Sequence, residues 1–527
     1  KAEVLHQYWS NSSTSENIFN RESFFSRDLT NPFSVINPDA SVTRNIPVGD
    51  IRDFTSSAAS SNYLRTQLQY NENLSPRSFF SALLGAEVKD LSIDGNRSRL
   101  YGYDPEFGTS LPVDYVNRFR RIHNNSLANI PRQDRVTGTV SRFISYYTNM
   151  AYTLDKKYTV SVSARQDGSN IFGVNSNQRL VPLWSSGLSW TLSEEGFYNW
   201  GAMPFIKLKA TYGYNGNVNS SLSAFPTAFY RQGSMISNLR YLALNSPGNP
   251  DLRWERIRII NFGLDFESKD AVLSGNIEFF VKNGQDLIGT IPFPSSSGVN
   301  DFTGNFADTR THGLDIALNS KNINRKFKWN TALLFTFNKE EVTDYKGEFF
   351  ITQFLDYGSG GVGIAPSPLE GFPLFSVFAL PYAGLDPDTG APVGFLDGEP
   401  GMDYNGIIAA TGPEDLIYMG SGRPTTFGAI RNDFQWGNFS LSANISYRLG
   451  YVFRRPTVNY ANLLNGFTTH RDYENRWQNP GDELITDVPS LPAANNANRE
   501  THYRNSARLI ERGDHFRLQE IRLSYRL

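Results

Sequence analysis

The chain has 527 residues, of which 39% are hydrophobic and 14% aromatic, and its mean hydropathy is −0.41. It has no run of about 18 consecutive apolar residues, which excludes a helical membrane protein of this size. Its 50 Lys and Arg are scattered and nearly balanced by 52 Asp and Glu, and Cys is absent. Nucleic-acid binding, disulfide frameworks and thiolate chemistry are therefore excluded.

Alternation of apolar and polar residues is the main pattern along the chain. Residues 158–165 read YTVSVSAR and residues 439–449 read FSLSANISYRL, which places apolar side chains on one face of a strand. A run of about a dozen residues exceeds the usual globular strand and matches the ~9–11 residues that a tilted strand needs to cross a bilayer. We predict about thirteen strands, near 56–70, 77–90, 141–154, 157–167, 180–193, 204–214, 256–267, 272–283, 306–319, 327–340, 424–436, 438–451 and 515–527.

The connections between these strands alternate between short and long. The short ones are 154–157, 193–201, 268–275, 320–327 and 436–438, and the long ones lie near 102–139, 166–179, 215–254, 283–305, 345–423 and 453–514. Since successive strands are antiparallel, all short turns fall at one end of the sheet and all long loops at the other. This arrangement is typical of an all-β, transmembrane antiparallel β-barrel of the outer membrane.

A barrel in lipid pairs every backbone polar group, so we expect the apolar face to meet acyl chains and the polar face to enclose a lumen. By alternation, Arg165, Lys207, Lys209 and Arg448 are the candidate lumen-facing cations. Thirteen is an odd count, whereas single-chain bacterial barrels have even counts. We therefore expect residues 1–527 to be one β-barrel domain that is present only in part.

Several segments, taken in order, resemble the SusC/RagA-type TonB-dependent transporters of Bacteroidetes. They are ARQDGSNIFG (164–173), LVPLWSSGLSWTLSEEGF (180–197), FIKLKATYGYNGN (205–217), NPDLRWERIRIINFGLDFE (249–267), LEGFPLFSVFALPYAGLDPDTGAPV (369–393), RWQNPGDE (476–483) and GDHFRLQEIRLSYRL (513–527). Each segment is weak alone, but their shared order makes the resemblance specific.

The resemblance implies a 22-stranded barrel that is plugged by an N-terminal domain, a size class of plugged transporters. It further implies active import of a glycan or peptide, a SusD-like surface lipoprotein as partner, and coupling to TonB through an N-terminal region. On this comparison the chain covers the eighth to twentieth strands, with residues 1–10 as the tail of the seventh and two strands missing at the end. The surroundings would be outer-membrane lipid and lipopolysaccharide.

The search for catalytic chemistry gives no candidate, and no enzyme activity or cofactor is expected. The six histidines form no pair with metal-ligand spacing, and neither a G-x-S-x-G elbow nor a phosphate-binding G-x-x-x-x-G-K is present. GSGGVG at 358–363 is interpreted as a loop tip. In the acidic loop, Asp386, Asp388 and Asp397 form a weak calcium candidate, because Asp386, Asp388 and Gly390 partly mimic the start of a calcium loop. The alternative is that these are ordinary turn residues.

Substrate contact is the functional hypothesis for the long loops, which mix aromatic and polar side chains. The candidates are Phe378, Tyr382, Asp386, Asp388, Tyr460 and Asn465. The alternative, favoured for any single residue, is that these segments pack on each other or on a partner protein.

The sequence therefore predicts the barrel subunit of an outer-membrane importer. Two other classes remain open: a barrel enzyme of the outer membrane, and a secreted β-rich adhesin or carbohydrate-binding protein. The adhesin would need no face in contact with lipid.

Overall fold

The structure is a computed structural model, and it describes all residues except 171–179, 218–221, 223, 232–238, 295, 297, 300, 348–350, 356–365, 367 and 465–469. One antiparallel sheet of 14 strands dominates it. Among the described residues, none of the helices combines the length and apolar character needed to cross a membrane.

The strands of the sheet follow one another along the chain. They are β1 Ala2–Phe19, β2 Asp50–Ser75, β3 Ser78–Tyr103, β4 Arg135–Leu154, β5 Tyr158–Ser169, β6 Leu180–Thr191, β7 Phe205–Asn217, β8 Glu255–Glu267, β9 Leu273–Pro292, β10 Asp301–Asn324, β11 Phe327–Tyr345, β12 Thr426–Trp436, β13 Phe439–Leu449 and β14 His515–Tyr525. Each strand from β2 to β13 pairs with the strand before it and the strand after it, so the sheet is a continuous meander.

The longest connections lie at one end of the sheet, as predicted, although 170–179 and 293–300 at that end are shorter than 192–204 at the other. The five longest, which are 20–49, 104–134, 218–254, 346–425 and 450–514, all lie at one end of the sheet. The opposite end carries 76–77, 155–157, 192–204, 268–272, 325–326 and 437–438. The predicted all-β class and the antiparallel arrangement are therefore confirmed.

The predicted count of thirteen strands was one short. Residues 2–19 form a full strand, β1, which pairs with β2 without interruption from Ala2↔Leu68 to Phe19↔Ile51. Its second half is rich in Ser, Thr and Asn, so it has no apolar alternation by which it could be recognised. The predicted loop 283–305 is also mostly strand, because β9 continues to Pro292 and β10 begins at Asp301.

The two faces of the sheet have different chemistry. Val162, Leu188 and Phe262 leave 47%, 60% and 56% of their surface exposed on one face. On the other face polar side chains contact each other across strands, as where Ser163 Oγ lies 2.7 Å from Ser185 Oγ. An exposed apolar surface of this extent is suited to lipid and not to water.

Glycines paired with aromatic residues fix the register at several places. Gly428 on β12 pairs with Tyr447 on β13, whose hydroxyl donates 2.9 Å to the Leu334 carbonyl oxygen on β11. A Cβ at Gly428 would lie 2.0 Å from that same oxygen. Tyr147 covers Gly85 in the same way on β4 and β3. An aromatic ring thus fills the space above each glycine and ties neighbouring strands together.

Smaller elements lie in the long connections. The helices are α1 Phe24–Thr30, α2 Ile351–Leu355, α3 Tyr404–Ala410, α4 Tyr460–Leu464 and α5 Ala497–Arg504. The short ribbons pair Ser34–Ile36 with Val42–Arg44, Phe119–Arg120 with Leu127–Ala128, Thr227–Arg231 with Tyr241–Ser246, Ser376–Ala379 with Ile417–Ser421, Gly384–Leu385 with Pro392–Leu396, Pro392–Leu396 with Glu399–Gly401, and Val452–Arg454 with Ile510–Arg512.

Replacement of Leu188 by Arg tests the lipid-facing assignment. Leu188 lies in the middle of β6, between Val160 and Ala210, on the exposed apolar face. We expect Leu188→Arg to destabilise the barrel in phospholipid bilayers by roughly 2–4 kcal/mol, because a cation must then enter hydrocarbon. The measurement is the free energy of folding into bilayers by urea titration.

The matched control is Ser189→Arg, one residue further on the polar face, which should cost much less. Equal costs for the two variants would contradict the assignment of the faces.

Candidate functional site: the loop module

The two longest connections, 346–425 and 450–514, fold together at the long-connection end of the sheet, and we call this unit the loop module. It contains four of the five described α-helices and four of the short ribbon pairings. Its structure therefore resembles a small domain more than a pair of separate loops.

The first core of the module is an apolar cluster from connection 346–425. Phe378 lies at its centre, only 1% exposed, and packs with Phe354, Leu355, Leu380 and Leu416. The Phe378 and Phe354 rings meet edge to face, with 5.4 Å between centroids. Burial of rings of this size is the main stabilising contribution available to a segment with so little regular structure.

A second cluster comes from connection 450–514. Val458, Tyr460 and Val488 are almost fully buried, and the Tyr460 hydroxyl donates 2.5 Å to the Pro489 carbonyl oxygen. Burial raises the pKa of Tyr460, so the phenol stays protonated and keeps this donor.

A buried arginine joins the two connections. Arg454 donates 2.6 Å to the Phe378 carbonyl oxygen and 3.2 Å to that of Leu355, and it also contacts the side-chain oxygen of Asn505. Backbone bonds complete the join, since Leu380 N–H donates to Asn505 O and Ala507 N–H donates to Leu380 O, each at 2.9 Å. Guanidinium groups suit this role because they donate several hydrogen bonds in fixed directions.

A buried ion pair on α5 makes the second join, within 450–514. Glu500 accepts 3.0 Å from the Tyr460 N–H, and Arg499 donates 2.7 Å to the Ser490 carbonyl oxygen. The two charged groups lie 3.4 Å apart and are each under 10% exposed. Burial raises the pKa of Glu500, an effect that Tyr460 N–H and Arg499 oppose.

His502 is fully buried beside these groups. Its Nε2 lies 3.3 Å from the Pro381 carbonyl oxygen, and its ring centroid is 5.8 Å from that of Tyr404. Burial lowers the pKa of His502, which keeps the imidazole neutral near pH 7. The residue therefore packs and bonds inside the module and does not form a surface site.

The acidic loop forms turns and not a calcium site. Asp386 accepts from the Thr389 N–H at 2.8 Å and from its hydroxyl at 2.6 Å, and these bonds lower the pKa of Asp386. Asp388 is exposed at the same turn, whereas Asp397 lies at the turn between Leu396 and Glu399 with φ +50°. In the described part of the chain no three His, Asp or Glu gather as metal ligands. The calcium hypothesis for Asp386, Asp388 and Asp397 was wrong, because these carboxylates do not gather as one ligand group and Asp386 is occupied by hydrogen bonds from Thr389.

Two segments that carried the family resemblance contact each other here. Gly390, which ends the acidic turn with φ +66°, lies beneath the ring of Trp477, and a Cβ at this glycine would be 2.2 Å from that ring. Ser490 N–H donates 2.9 Å to the Gly390 carbonyl oxygen. LDPDTG and RWQNPGDE are far apart in sequence, but they meet in the structure at this contact between the two connections.

The predicted substrate-contacting residues differ in how exposed they are in the structure. Phe378 and Tyr460 are each 1% exposed, so the hypothesis that they contact substrate was wrong. Their rings supply the apolar cores that the module needs to fold, in agreement with the alternative that the loops pack on each other. Tyr382 is half-buried, with its hydroxyl 3.4 Å from the Asp487 carbonyl oxygen, and Asn465 lies outside the described residues.

The four predicted lumen cations lie on the face opposite the exposed apolar residues. Arg165 pairs with Glu87 and with Asp167, the latter at 2.6 Å. Lys209 lies 2.8 Å from an Asp265 oxygen and 3.5 Å from a Glu278 oxygen. Lys207 and Arg448 make no ion pair with any residue that the structure describes.

Sequence reasoning missed the buried polar residues of the module, above all Arg454, Arg499, Glu500 and His502. The local sequence does not indicate that these residues are buried. NRETHYRN (498–505), which holds Arg499, Glu500 and His502, has the composition of a helix exposed to solvent. Their burial depends on a second connection that folds over them.

Replacement of Arg454 tests the join between the connections. We expect Arg454→Ala to leave the carbonyl groups of Phe378 and Leu355 buried without a donor, at a cost of roughly 1–3 kcal/mol each. Limited proteolysis should then cut within 346–425 and 450–514 at least tenfold faster, while the barrel keeps its heat-modifiable mobility on gels.

Arg471→Ala is the control, since Arg471 is exposed in the same module. Unchanged proteolysis of Arg454→Ala would show that the guanidinium does not hold the connections together.

Comparison with known proteins gives a consistent result. Residues 6–465 match the family described as TonB dependent receptor-like, beta-barrel. TonB-dependent receptor P39 of Formosa agariphila is 25% identical over 78% of this chain and 42% of its own length. TonB-dependent receptor SusC of Bacteroides thetaiotaomicron is 23% identical over 78% of this chain and 41% of its own length.

Solved structures of the RagAB peptide transporter share the fold. One aligns over 99% of this chain and 53% of the solved chain, with a TM-score of 0.73 and 19% identity. The structure of the RagAB peptide importer in the 'open-open' state gives 0.72 at 20% identity, over 99% of this chain and 52% of that one. The chain thus spans about half the length of the proteins it matches.

The family match confirms the predicted relationship and fold class. Its members are transporters and receptors of the outer membrane and not enzymes, so the barrel-enzyme and secreted-adhesin alternatives are set aside. This chain belongs to the family of TonB-dependent receptor-like β-barrels.

Proposed function

We propose that this chain supplies part of the wall and the extracellular loops of a TonB-dependent importer of an oligomeric nutrient, a peptide or a glycan. The observation that carries the proposal is the loop module, a folded unit placed over one end of a lipid-exposed sheet. In outer-membrane barrels the long loops face the outside of the cell, where a nutrient first arrives.

The sheet itself supports the assignment to a larger barrel. Among the described residues, β1 pairs only with β2 and β14 only with β13, so both edges can accept further strands. In a barrel of about 22 strands, about six would precede β1 and about two would follow β14. Residues 1–527 then form one incomplete β-barrel domain, whose plug and TonB-coupling region belong to the N-terminal part of the full-length protein.

The polar face has two kinds of cation, which suit two roles. Arg165 and Lys209 are neutralised by carboxylates on the same wall, and they stiffen it. Lys207 and Arg448 remain available to groups that enter the lumen, either from the plug or from the cargo. Cations of the first kind keep the wall rigid while the plug moves.

Deletion of the plug tests the coupling. In the full-length protein, we expect loss of the plug to abolish uptake that depends on TonB, because the plug transmits the pull of TonB and closes the lumen. The measurement is uptake of a labelled nutrient by cells with and without TonB, with the intact full-length protein as control. Uptake that remains TonB-dependent without the plug would contradict this mechanism.

A SusD-like surface lipoprotein is the proposed partner, and the outer face of the module offers a contact. Leu484 and Ile485, which directly follow the RWQNPGDE segment, are both 85% exposed. Adjacent apolar side chains with this exposure are suited to burial against a partner. We further propose that the exposed apolar band of the strands contacts outer-membrane lipid and lipopolysaccharide.

The double variant Leu484→Asp, Ile485→Asp tests this contact. We expect it to weaken co-purification with the lipoprotein at least tenfold, because carboxylates would have to be desolvated in the interface. Trp200→Asp, at an exposed site in the opposite-end connection 192–204, is the control. Undiminished co-purification would exclude Leu484 and Ile485 from the interface.

A further inference from the structure

A cavity of about 1000 Å³ lies between the inner face of the sheet and the loop module. Its walls come from β9 to β13 on one side and from segments 371–375 and 418–425 of the module on the other. This volume is at the upper end of the range for ligand pockets in proteins.

Strand register brings the polar residues of the cavity together. Lys282 on β9 pairs with Thr311 on β10, which pairs with Glu340 on β11, so the three side chains form one row. Phe427 on β12 pairs with Arg448 on β13 and lines the same space. All are on the face opposite the lipid-exposed residues, by the alternation of side chains along each strand.

Positive charge exceeds negative charge on this inner surface. Lys282, Arg423 and Arg448 are exposed to the cavity and form no ion pair with the described residues. Glu340 is the carboxylate on the inner side of this wall, and it lies near enough to Arg423 for the two charges to attract each other. Lys339 and Glu341 also border the cavity, but alternation directs both side chains to the outer face.

Aromatic rings hold two of these cations in place. The Arg423 guanidinium carbon lies 3.2 Å from the centroid of the Phe375 ring, and the Lys282 Nζ lies 4.3 Å from that of Phe280. The Phe372 and Tyr418 rings pack 5.0 Å apart on the module side. Cations on ring faces lose side-chain freedom before a ligand arrives, which lowers the entropy cost of binding.

We propose that this cavity binds the carboxylate groups of an acidic oligomer on its way into the lumen. Arg423 and Arg448 would receive the carboxylates, since a guanidinium matches a carboxylate with two parallel hydrogen bonds, and Lys282 would add a third cation. The rings of Phe375, Tyr418 and Phe427 would contact the less polar parts of the same oligomer. The proposal rests on the proposed import function, and it narrows the cargo to acidic peptides or uronate-containing glycans.

Binding by the purified full-length protein in detergent tests the proposal. The probes are fluorescent oligoglutamate and oligogalacturonate, with oligoglutamine and a neutral oligoglucoside as uncharged counterparts, and the readout is fluorescence anisotropy. We expect one acidic probe to bind, and thereby to identify the source of the carboxylates. The affinity for the acidic probe should fall at least about tenfold in the double variant Arg423→Gln, Arg448→Gln, because charge-assisted hydrogen bonds are lost. The single variant Arg423→Gln should lose part of this affinity.

Two further variants separate charge from folding. Lys339→Gln removes a cation from the same strand region on the outer face, and it should bind the acidic probe as the wild type does. Arg423→Lys keeps the charge and should retain most of the affinity that Arg423→Gln loses. Heat-modifiable gel mobility confirms that each variant is folded.

The contrary outcomes are distinct. The proposal fails if neither acidic probe binds, if Lys339→Gln weakens binding as much as the double variant, or if the cavity variants alter only the protease sensitivity of the plug. In the last case the cations would form ion pairs with an acidic surface of the plug and would not bind the cargo. TonB-dependent uptake of the neutral counterparts, with no acidic preference, would overturn the cavity assignment and leave the importer intact.

Discussion

Backbone pairing within hydrocarbon is the constraint from which the rest of this structure follows. An unpaired N–H or C=O group there costs roughly several kcal/mol, because no water is present to replace the missing partner. The meander satisfies the constraint by long uninterrupted ladders, such as that of β2 and β3 between Arg52↔Leu100 and Asn73↔Phe79. Pairing fixes register, and register decides which side chains meet lipid and which meet the lumen.

The loop module satisfies a related constraint by different means. Its backbone is partly buried although little of it is helix or sheet, so side chains must supply the missing donors. Arg454 and Arg499 do so by donating to carbonyl groups of Phe378 and Ser490. The bonds of Arg454 join segments far apart in sequence, whereas that of Arg499 acts within 450–514, and together they make the two connections one rigid platform. A rigid platform can present a stable surface to both a partner and a cargo.

The cavity lies where the wall and the platform meet, and its charges differ from those elsewhere on the wall. Arg165 and Lys209 form ion pairs with neighbouring carboxylates. Lys282, Arg423 and Arg448 form no ion pair within 4 Å among the described residues, and Glu340 is the one inner-face carboxylate near Arg423. Unpaired cations on one concave surface create a positive potential that favours anionic ligands. In the proposed importer, this single surface would link capture at the module to passage along the wall.

The sequence by itself determined the class of fold, the lipid-facing and lumen-facing sets and the ends at which the loops lie, because strand alternation and turn residues are local properties. It located thirteen of the fourteen strands and missed β1, whose Ser-rich half has no apolar alternation. Only the tertiary structure decided the site. Phe378 and Tyr460 read as loop aromatics but are buried, because a second connection distant in sequence folds over them. Burial of this kind depends on contacts across the chain, which local patterns do not encode.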